Sequence, residues 1–421
     1  MNNTEVIKQS LKKRYAREKR FQLYGRSAVF VGFIFLALLL TDIIIKATPA
    51  FSVTEIRLDF QIDRTSLDLP SEGRIDQSMV SAINFGAVIK KSLRNAFPEM
   101  TSRKDKKQLY KLVSSGAEFV LLQKLFTNPD LVDQEKLTLW VKADDDVDTY
   151  YKLEKRTSRI SDRQVELIDQ LEAKSRIRTA FNTTLFTASD SREPEQAGIR
   201  GALLGSFWTL LVTLLVSLPV GVAAAIYLEE FAPQNKITDF IEININNLAA
   251  VPSIVFGLLG LAVFINFFGM PRSAPLVGGL VLSLMTLPTI IISSRAAIKS
   301  VPPSIKEAAL GVGASHMQVV FHHTLPLAMP GILTGSIIGM AQALGESAPL
   351  LMIGMVAFIV DVPGGIFDSA TVLPVQIYLW SDSPERAFTA LTAATILVLL
   401  GFLIAMNAIA IYLRKQFERR W

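Results

Sequence analysis

The side chains whose types and spacing could do chemistry lie between residues 295 and 347, and that chemistry is conduction and docking, not bond making. Gln342 and Glu346 stand four apart in a long apolar segment, on one strip of a helix near the middle of a span expected at 331–360. A carboxylate at that depth costs some kilocalories per mole unless it faces water or a partner, so Glu346 marks either an ion path or an interhelical hydrogen bond. Arg295 lies near the cytoplasmic end of the span before it, where its side chain either snorkels to the interface or faces the same path. Gly331, Gly335, Gly339, Ala343 and Ser347 recur every four residues, a stripe of small side chains along which another backbone can approach, from this chain or from a second subunit.

Between these spans runs Glu307 to Pro326, EAALGVGASHMQVVFHHTLP. Ser304 is a plausible N-cap with Glu307 at capping-box distance, which predicts a short helix through Leu310. Gly311 and Gly313 permit a turn, and Ala314 to His323 can form a second short helix before Pro326 breaks it. The expected shape is a helix-turn-helix elbow whose Ala308, Ala309 and Ala314 leave its surface open to a groove on another protein.

Covalent chemistry finds little support. The chain has no cysteine, which excludes disulfides and thiolate metal sites. Its three histidines, His316, His322 and His323, all fall in the elbow, where a metal ligand set from those alone is not expected, and no GxxxxGK[ST] phosphate loop occurs. Neither a catalytic residue nor a cofactor is expected of this chain. Asp144, Asp145 and Asp146 could hold a cation or form a solvated turn, the second being favoured.

The elements that must position these groups follow from charge and hydropathy. Half the residues are apolar and 19% are charged, with most charges between Phe51 and Arg200. That distribution predicts a soluble module inserted into a membrane protein. Residues 1–26 carry Lys8, Lys12, Lys13, Arg14, Arg17, Lys19, Arg20 and Arg26 immediately before an apolar run at 27–47, which puts the N-terminus in the cytoplasm. A cleaved signal peptide, with Thr48-Pro49-Ala50 after the run, is the competing reading. From 48 to 200, Ile56, Leu58, Phe60 and Ile62 alternate with polar residues, as do Leu137, Leu139 and Val141, between helical stretches at 84–97, 107–126 and 163–181. This is an α+β domain, extracytoplasmic if the N-terminus is inside. Five further spans are expected near 203–228, 248–268, 275–298, 331–360 and 387–413, each long enough for a hydrocarbon core of about 30 Å. Six crossings return the basic tail 414–421, with Arg414, Lys415, Arg419 and Arg420, to the cytoplasm, together with the elbow at 302–326.

Glu307-Ala308-Ala309, Gly313 and Leu325-Pro326 at these offsets resemble the EAA loop of ABC-importer permeases. Tyr227 to Glu230, Val251 to Leu258 and Gly345 to Leu350 are similar to the A-type permease of the phosphate-specific (Pst) importer. The resemblance covers about Leu203 to the end. It implies an all-α polytopic membrane protein with six transmembrane helices, the type I ABC importer permease fold, carrying the inserted α+β domain between helices 1 and 2. It further implies a multi-pass protein of the bacterial inner membrane, both termini cytoplasmic, that helps to import inorganic phosphate. Its implied partners are a homologous second permease (PstC-like), an ABC ATPase dimer (PstB-like) holding the ATP and magnesium, an extracytoplasmic substrate-binding protein (PstS-like) and the lipid bilayer; no nucleic acid is implied. Phosphate permeases of this type commonly carry arginine where this chain has Gln342 and Ile292. An importer for another oxyanion or small solute, and a membrane-anchored ligand sensor, are the alternatives.

Overall fold

The computed structural model describes residues 3–62, 67, 79–80, 83–128, 131–132, 136–152 and 159–417. Arg419 and Arg420 lie outside them. A single helix, α1 (Asn3–Ala47), carries both the basic leader and the apolar run, so Arg14, Arg17 and Arg20 ride on the same rod as Phe33 and Leu38. At about 1.5 Å per residue its 45 residues reach roughly 68 Å, far more than a bilayer core requires. Its apolar side chains from Leu23 to Ile45 are largely exposed, as a lipid-facing helix demands.

A short 3-10 turn at Thr48–Phe51 feeds β1 (Ser52–Gln61), the centre of a three-stranded antiparallel sheet of order β2-β1-β3. Strand β2 is Lys136–Lys142 and β3 is Ile177–Phe181. The alternation in β1 sends Ile56, Leu58, Phe60 and Ile62 to full burial beneath α2 (Phe85–Ala96), α3 (Arg103–Tyr110), α4 (Ala117–Thr127), α5 (Asp145–Lys152) and α6 (Asp162–Ala173).

Two stretches read as single helices divide. The one expected at 107–126 breaks at residues 111–116, where Val113 forms an isolated bridge to Ala143. The one expected at 163–181 ends at Ala173; Ser175 turns the chain at φ +51° and the rest becomes β3, because Ile177 buries against Ile56 in the sheet. The solvated turn favoured at Asp144, Asp145 and Asp146 is instead a half-buried helix start: Asp145 and Asp146 open α5, in a turn where the helix dipole favours acids. Asp144 caps them with its carboxylate on the Asp146 N–H, and burial followed by the Asp145 charge pushes its carboxyl up to about 7.

The domain is fastened to the spanning helices by packing. Ala47, Ala50, Leu185 and Ile199 share a buried cluster with Trp380, Phe388 and Leu391. Lys152 in α5 donates to the Pro49 and Ser52 carbonyls and pairs with Asp148 at 2.6 Å, while Asp148 accepts from the Thr54 N–H. Trp380 donates to Asp190 at 2.9 Å.

Beyond Arg200 the chain is helical: α7 (Arg200–Ile226), α8 (Lys236–Ala249), α9 (Ser253–Gly260), α10 (Pro275–Lys299), α11 (Pro303–Gly311), α12 (His316–Val319), α13 (Leu325–Gly345), α14 (Ala348–Met352), α15 (Leu373–Ser381) and α16 (Ala387–Phe417). Among the described residues five helical segments are long and apolar enough to cross a membrane. A sixth crossing exists only if α8 and the α9 segment through Phe267, bent by 101°, count as one. The span expected at 331–360 is displaced: the helix occupies His316–Gly345 and stops where Glu346 turns extended, at φ −86° and ψ 123°. Pro349 lies in the first turn of α14, and Gly354 at φ +92° turns the chain out of it.

The small-residue stripe on α13 lies against α10, antiparallel to it. A Cβ on Gly331 would sit 2.6 Å from the Ala297 Cβ, and one on Gly335 would overlap the Ser293 side chain. On Gly339 it would meet Ile290 and Thr286 at an ordinary 3.6 and 3.7 Å. Gly335→Ala should therefore cost about 1–3 kcal/mol of overpacking and lower the apparent Tm of the detergent-purified protein, whereas Gly339→Ala should leave it within a degree or two. Equal melting of the two variants would contradict this packing.

Candidate functional site

The elbow starts without the cap expected of it. Pro302 occupies the N-cap position and Pro303 the first turn of α11; no side chain caps it, so Ser304 and Glu307 form no capping box. Proline suits that place because its missing N–H is one that a first turn leaves unbonded anyway. The capping box is found one helix later, where Ser315 and Gln318 bond each other's backbone N–H groups at the start of α12. Between the helices Gly313 stands at φ +91° with nothing within 4 Å of a Cβ placed on it, so backbone conformation, not space, calls for glycine. Gly311 closes α11 at an ordinary φ.

Pro326 does not break the helix. A π-helical turn, Val320–Thr324, precedes it and runs on into α13. The proline ring would press on the carbonyl four residues back, at His322, and the wider turn opens that spot. Leu325 and Pro326, half buried, thus belong to a continuous 30-residue helix from His316.

Glu307 and Ala308 are exposed and Ala314 is half exposed, but Ala309 is buried, packed inward where an open surface was expected. The outward face is apolar instead: Leu310, Val312, Met317 and Phe321 are all exposed, Val312 to 87%. Met317 and Phe321 also line an apolar cleft with Tyr227, Phe231, Leu325 and Met329, whereas Leu310 and Val312 lie outside it, and water favours none of the four exposed side chains.

The elbow is bolted to the spanning helices through the π-helical turn Tyr227–Phe231 that ends α7. Lys306 pairs with Glu230 at 2.5 Å, the Glu230 side chain being 5% exposed. The His316 Nε2 lies 2.9 Å from the Glu230 carbonyl oxygen, and its ring packs edge-on against Phe231. The neighbouring Glu229 accepts from Arg295 Nε at 3.3 Å, and the Arg295 Nη2 donates to Glu242 in α8 at 2.6 Å. Lys299 adds a looser contact to Glu229 at 3.8 Å. Arg295 is therefore a clamp joining α7, α8 and α10.

Gln342 and Glu346 are not mid-span. Gln342 is exposed in the last turn of α13, and Glu346 follows the helix end, half exposed, with Ser347 beyond it leading into α14. Because α13 and α10 run antiparallel with Gly335 opposite Ser293, Glu346 and Arg295 sit about 20 Å apart along the axes, at roughly 1.5 Å per residue. Arg295 cannot supply a positive charge to that end. Glu230, Glu242, Lys306 and His316 were missed as members of the site. The doubled acid at 229–230, closing an apolar run, was the one signal in the sequence.

Residues 217–420 match the family described as "Binding-protein-dependent transport system inner membrane component", and residues 8–160 match "Domain of unknown function (DUF3333)". The chain is 39% identical over 166 residues to the "Probable ABC transporter permease protein YqgI" of Bacillus subtilis, covering 39% of this chain and 56% of that one. It is 31% identical over 226 residues to the "Phosphate transport system permease protein PstA 2" of Mycobacterium bovis, covering 53% and 74%. The Haemophilus influenzae "Phosphate transport system permease protein PstA" shares 27% over 241 residues, 57% of this chain and 83% of that one.

Proposed function

The chain belongs to the PstA-type permeases of binding-protein-dependent transport systems, non-catalytic membrane subunits, and from that premise we propose that it carries inorganic phosphate inward across the inner membrane at the expense of ATP hydrolysed by partner subunits. The observation that carries this reading is the exposed apolar elbow bolted to three helices through Glu229 and Glu230. A partner ATPase seated on Leu310, Val312, Met317 and Phe321 would hold a solid lever. When it closes, Lys306 and His316 drag the end of α7 through Glu230, and Glu229 passes the displacement through Arg295 to α8 and α10. The antiparallel pair α10 and α13, with Ala297 and Ser293 seated in the notches at Gly331 and Gly335, would move as one unit. Glu307, Ala308 and Gly313 shape the docking face, Ala309 and Leu325 pack behind it, and Pro326 sets the wide turn that aims α13.

Substrate would arrive from an extracytoplasmic binding protein and pass between this permease and a second one, past Gln342 and Glu346 at one end of α13. Glu346 bears on selectivity there. Its carboxylate repels a fully ionised oxyanion but can accept a hydrogen bond from a protonated phosphate oxygen, which sulfate lacks at neutral pH. The test is uptake of labelled phosphate into proteoliposomes of the whole complex, with and without ATP, and with sulfate as competitor. ATP-dependent phosphate uptake resistant to sulfate is expected; equal uptake of the two would overturn phosphate selectivity, and no uptake of any oxyanion would overturn the importer. Topology is checked in intact cells: a cysteine replacing Lys104 in α3 should react with an impermeant reagent from outside, and one replacing Lys415 only after permeabilisation. The reverse pattern would overturn the orientation.

A further inference from the structure

Strand β3 pairs with β1 only from Ser52 to Ile56, with one more bond from the Arg57 N–H to the Arg176 carbonyl at 2.8 Å. Beyond Arg57 no described strand pairs with β1 on that side, where α2 and the turn from α6 into β3 stand. There the Ser92 hydroxyl donates to the Asp59 carbonyl at 2.7 Å, and a cleft of about 900 Å³ opens beside it. Lys91 and Asn95 line it from α2, Lys136 from β2, and Lys174 and Arg176 from the turn.

We propose that this cleft binds a phosphoryl anion. Among the described residues four cations face one carboxylate, Asp59, which is already occupied: Arg176 Nη2 at 3.0 Å and Lys136 at 3.4 Å share its Oδ2, and the Thr138 hydroxyl donates to its Oδ1 at 2.8 Å. Burial opposes the charge on Asp59, but these three partners outweigh it and hold its carboxyl below the usual range. Asp59 thus serves as a fixed anchor that spaces two cations, and among the described residues it is the one carboxylate set against the four. Among the described residues neither Lys91 nor Lys174 has a carboxylate within ion-pair distance; Lys174 rests 5.9 Å from the Phe97 ring. Arg176 uses one nitrogen on Asp59 and keeps the rest of its planar fork for another oxygen acceptor, and the exposed Asn95 amide adds a neutral donor. Cationic point charges and a guanidinium around a polar wall are the donor set that phosphate oxygens take.

The choice of phosphoryl over other anions rests on the phosphate reading above; the cleft itself does not. Asp59 lies seven residues along β1 from Ser52, about 23 Å at 3.3 Å per residue, so the cleft is at the end of the strand remote from the cluster that joins the domain to the spanning helices. A phosphate solute and a lipid phosphate offer the same chemistry, and the experiment separates them. Protein in phosphatidylcholine nanodiscs is titrated at low salt with inorganic phosphate and with pyrophosphate, and is sedimented with phosphatidylglycerol vesicles. The Lys91→Gln/Lys174→Gln double variant should bind at least fivefold more weakly, with unchanged melting, while Lys104→Gln on α3 should match the wild type. A loss confined to the phosphate titrations assigns the cleft to a solute and one confined to the vesicles assigns it to lipid; either supports it. Equal binding by wild type and double variant in every arm, or no binding by the wild type in any, overturns it. No ATPase or second permease is needed, so failure of phosphate import in proteoliposomes is read independently of this result.

Discussion

Gly313→Val should cut ATP-driven uptake at least tenfold and strip the ATPase from the purified complex, while the variant inserts in the membrane as well as the wild type. The residue stands at φ +91°, where an L side chain costs about 1–2 kcal/mol and a β-branched one more. No neighbour lies within 4 Å of an added Cβ, so the penalty is purely conformational and the chain can escape it only by re-routing the turn between α11 and α12. Re-routing moves the exposed Leu310 and Val312 on one side of the turn relative to Met317 and Phe321 on the other, and so deforms the docking face. The graded series makes the argument specific. Asn, which tolerates positive φ best among residues with a Cβ, should retain most uptake, Ala less, and Val least. A ranking by side-chain size instead of positive-φ tolerance, with Ala above Asn, would show that crowding against the partner and not backbone strain decides the outcome. Full uptake by Gly313→Val would remove the elbow from the coupling mechanism.

What could be read in advance follows the range of the interactions involved. The period-two run Ile56, Leu58, Phe60, Ile62 fixes a buried strand by itself, and the offsets of Glu307, Gly313 and Leu325 outline an elbow, because each pattern is written in neighbouring residues. The five residues of β3 were absorbed into the helix before them, since their pairing partner on β1 lies over 120 residues away. Glu346 was placed mid-span because apolar residues continue past it to Val360. Composition does not register that Gly345, Pro349 and Gly354 let the backbone leave the helix there. At Pro326 the opposite error arose: a proline that ends most helices is accommodated by one wide turn. Arg295 looked like a snorkelling side chain or a path residue because its two carboxylate partners stand 66 and 53 positions away. None of these pairings leaves a mark in a window of ten or twenty residues.

That clamp yields the second large expectation. Arg295→Ala should lose about 1–3 kcal/mol of stability, because it leaves Glu229 and Glu242, with side chains 16% and 34% exposed, facing each other with only the distant Lys299 between them. Lysine at 295 cannot repeat the arrangement, since one ammonium replaces a fork that reaches Glu229 through Nε and Glu242 through Nη2, and Arg295→Lys should recover only part of the loss. Removing the stranded charges tells repulsion from lost geometry. In the Arg295→Ala background, Glu229→Gln with Glu242→Gln should restore most of the melting temperature if unpaired carboxylates are the cause. Uptake should not follow. The neutral triple variant still lacks the link from the end of α7 to α8 and α10, so a protein that folds and binds its ATPase should hydrolyse ATP with little phosphate moved. Melting of Arg295→Ala equal to the wild type would deny the clamp a structural role. A stable triple variant that imports at the full rate would show that the elbow's motion reaches the spanning helices by another route, with Lys306, His316 and Glu230 as the remaining links.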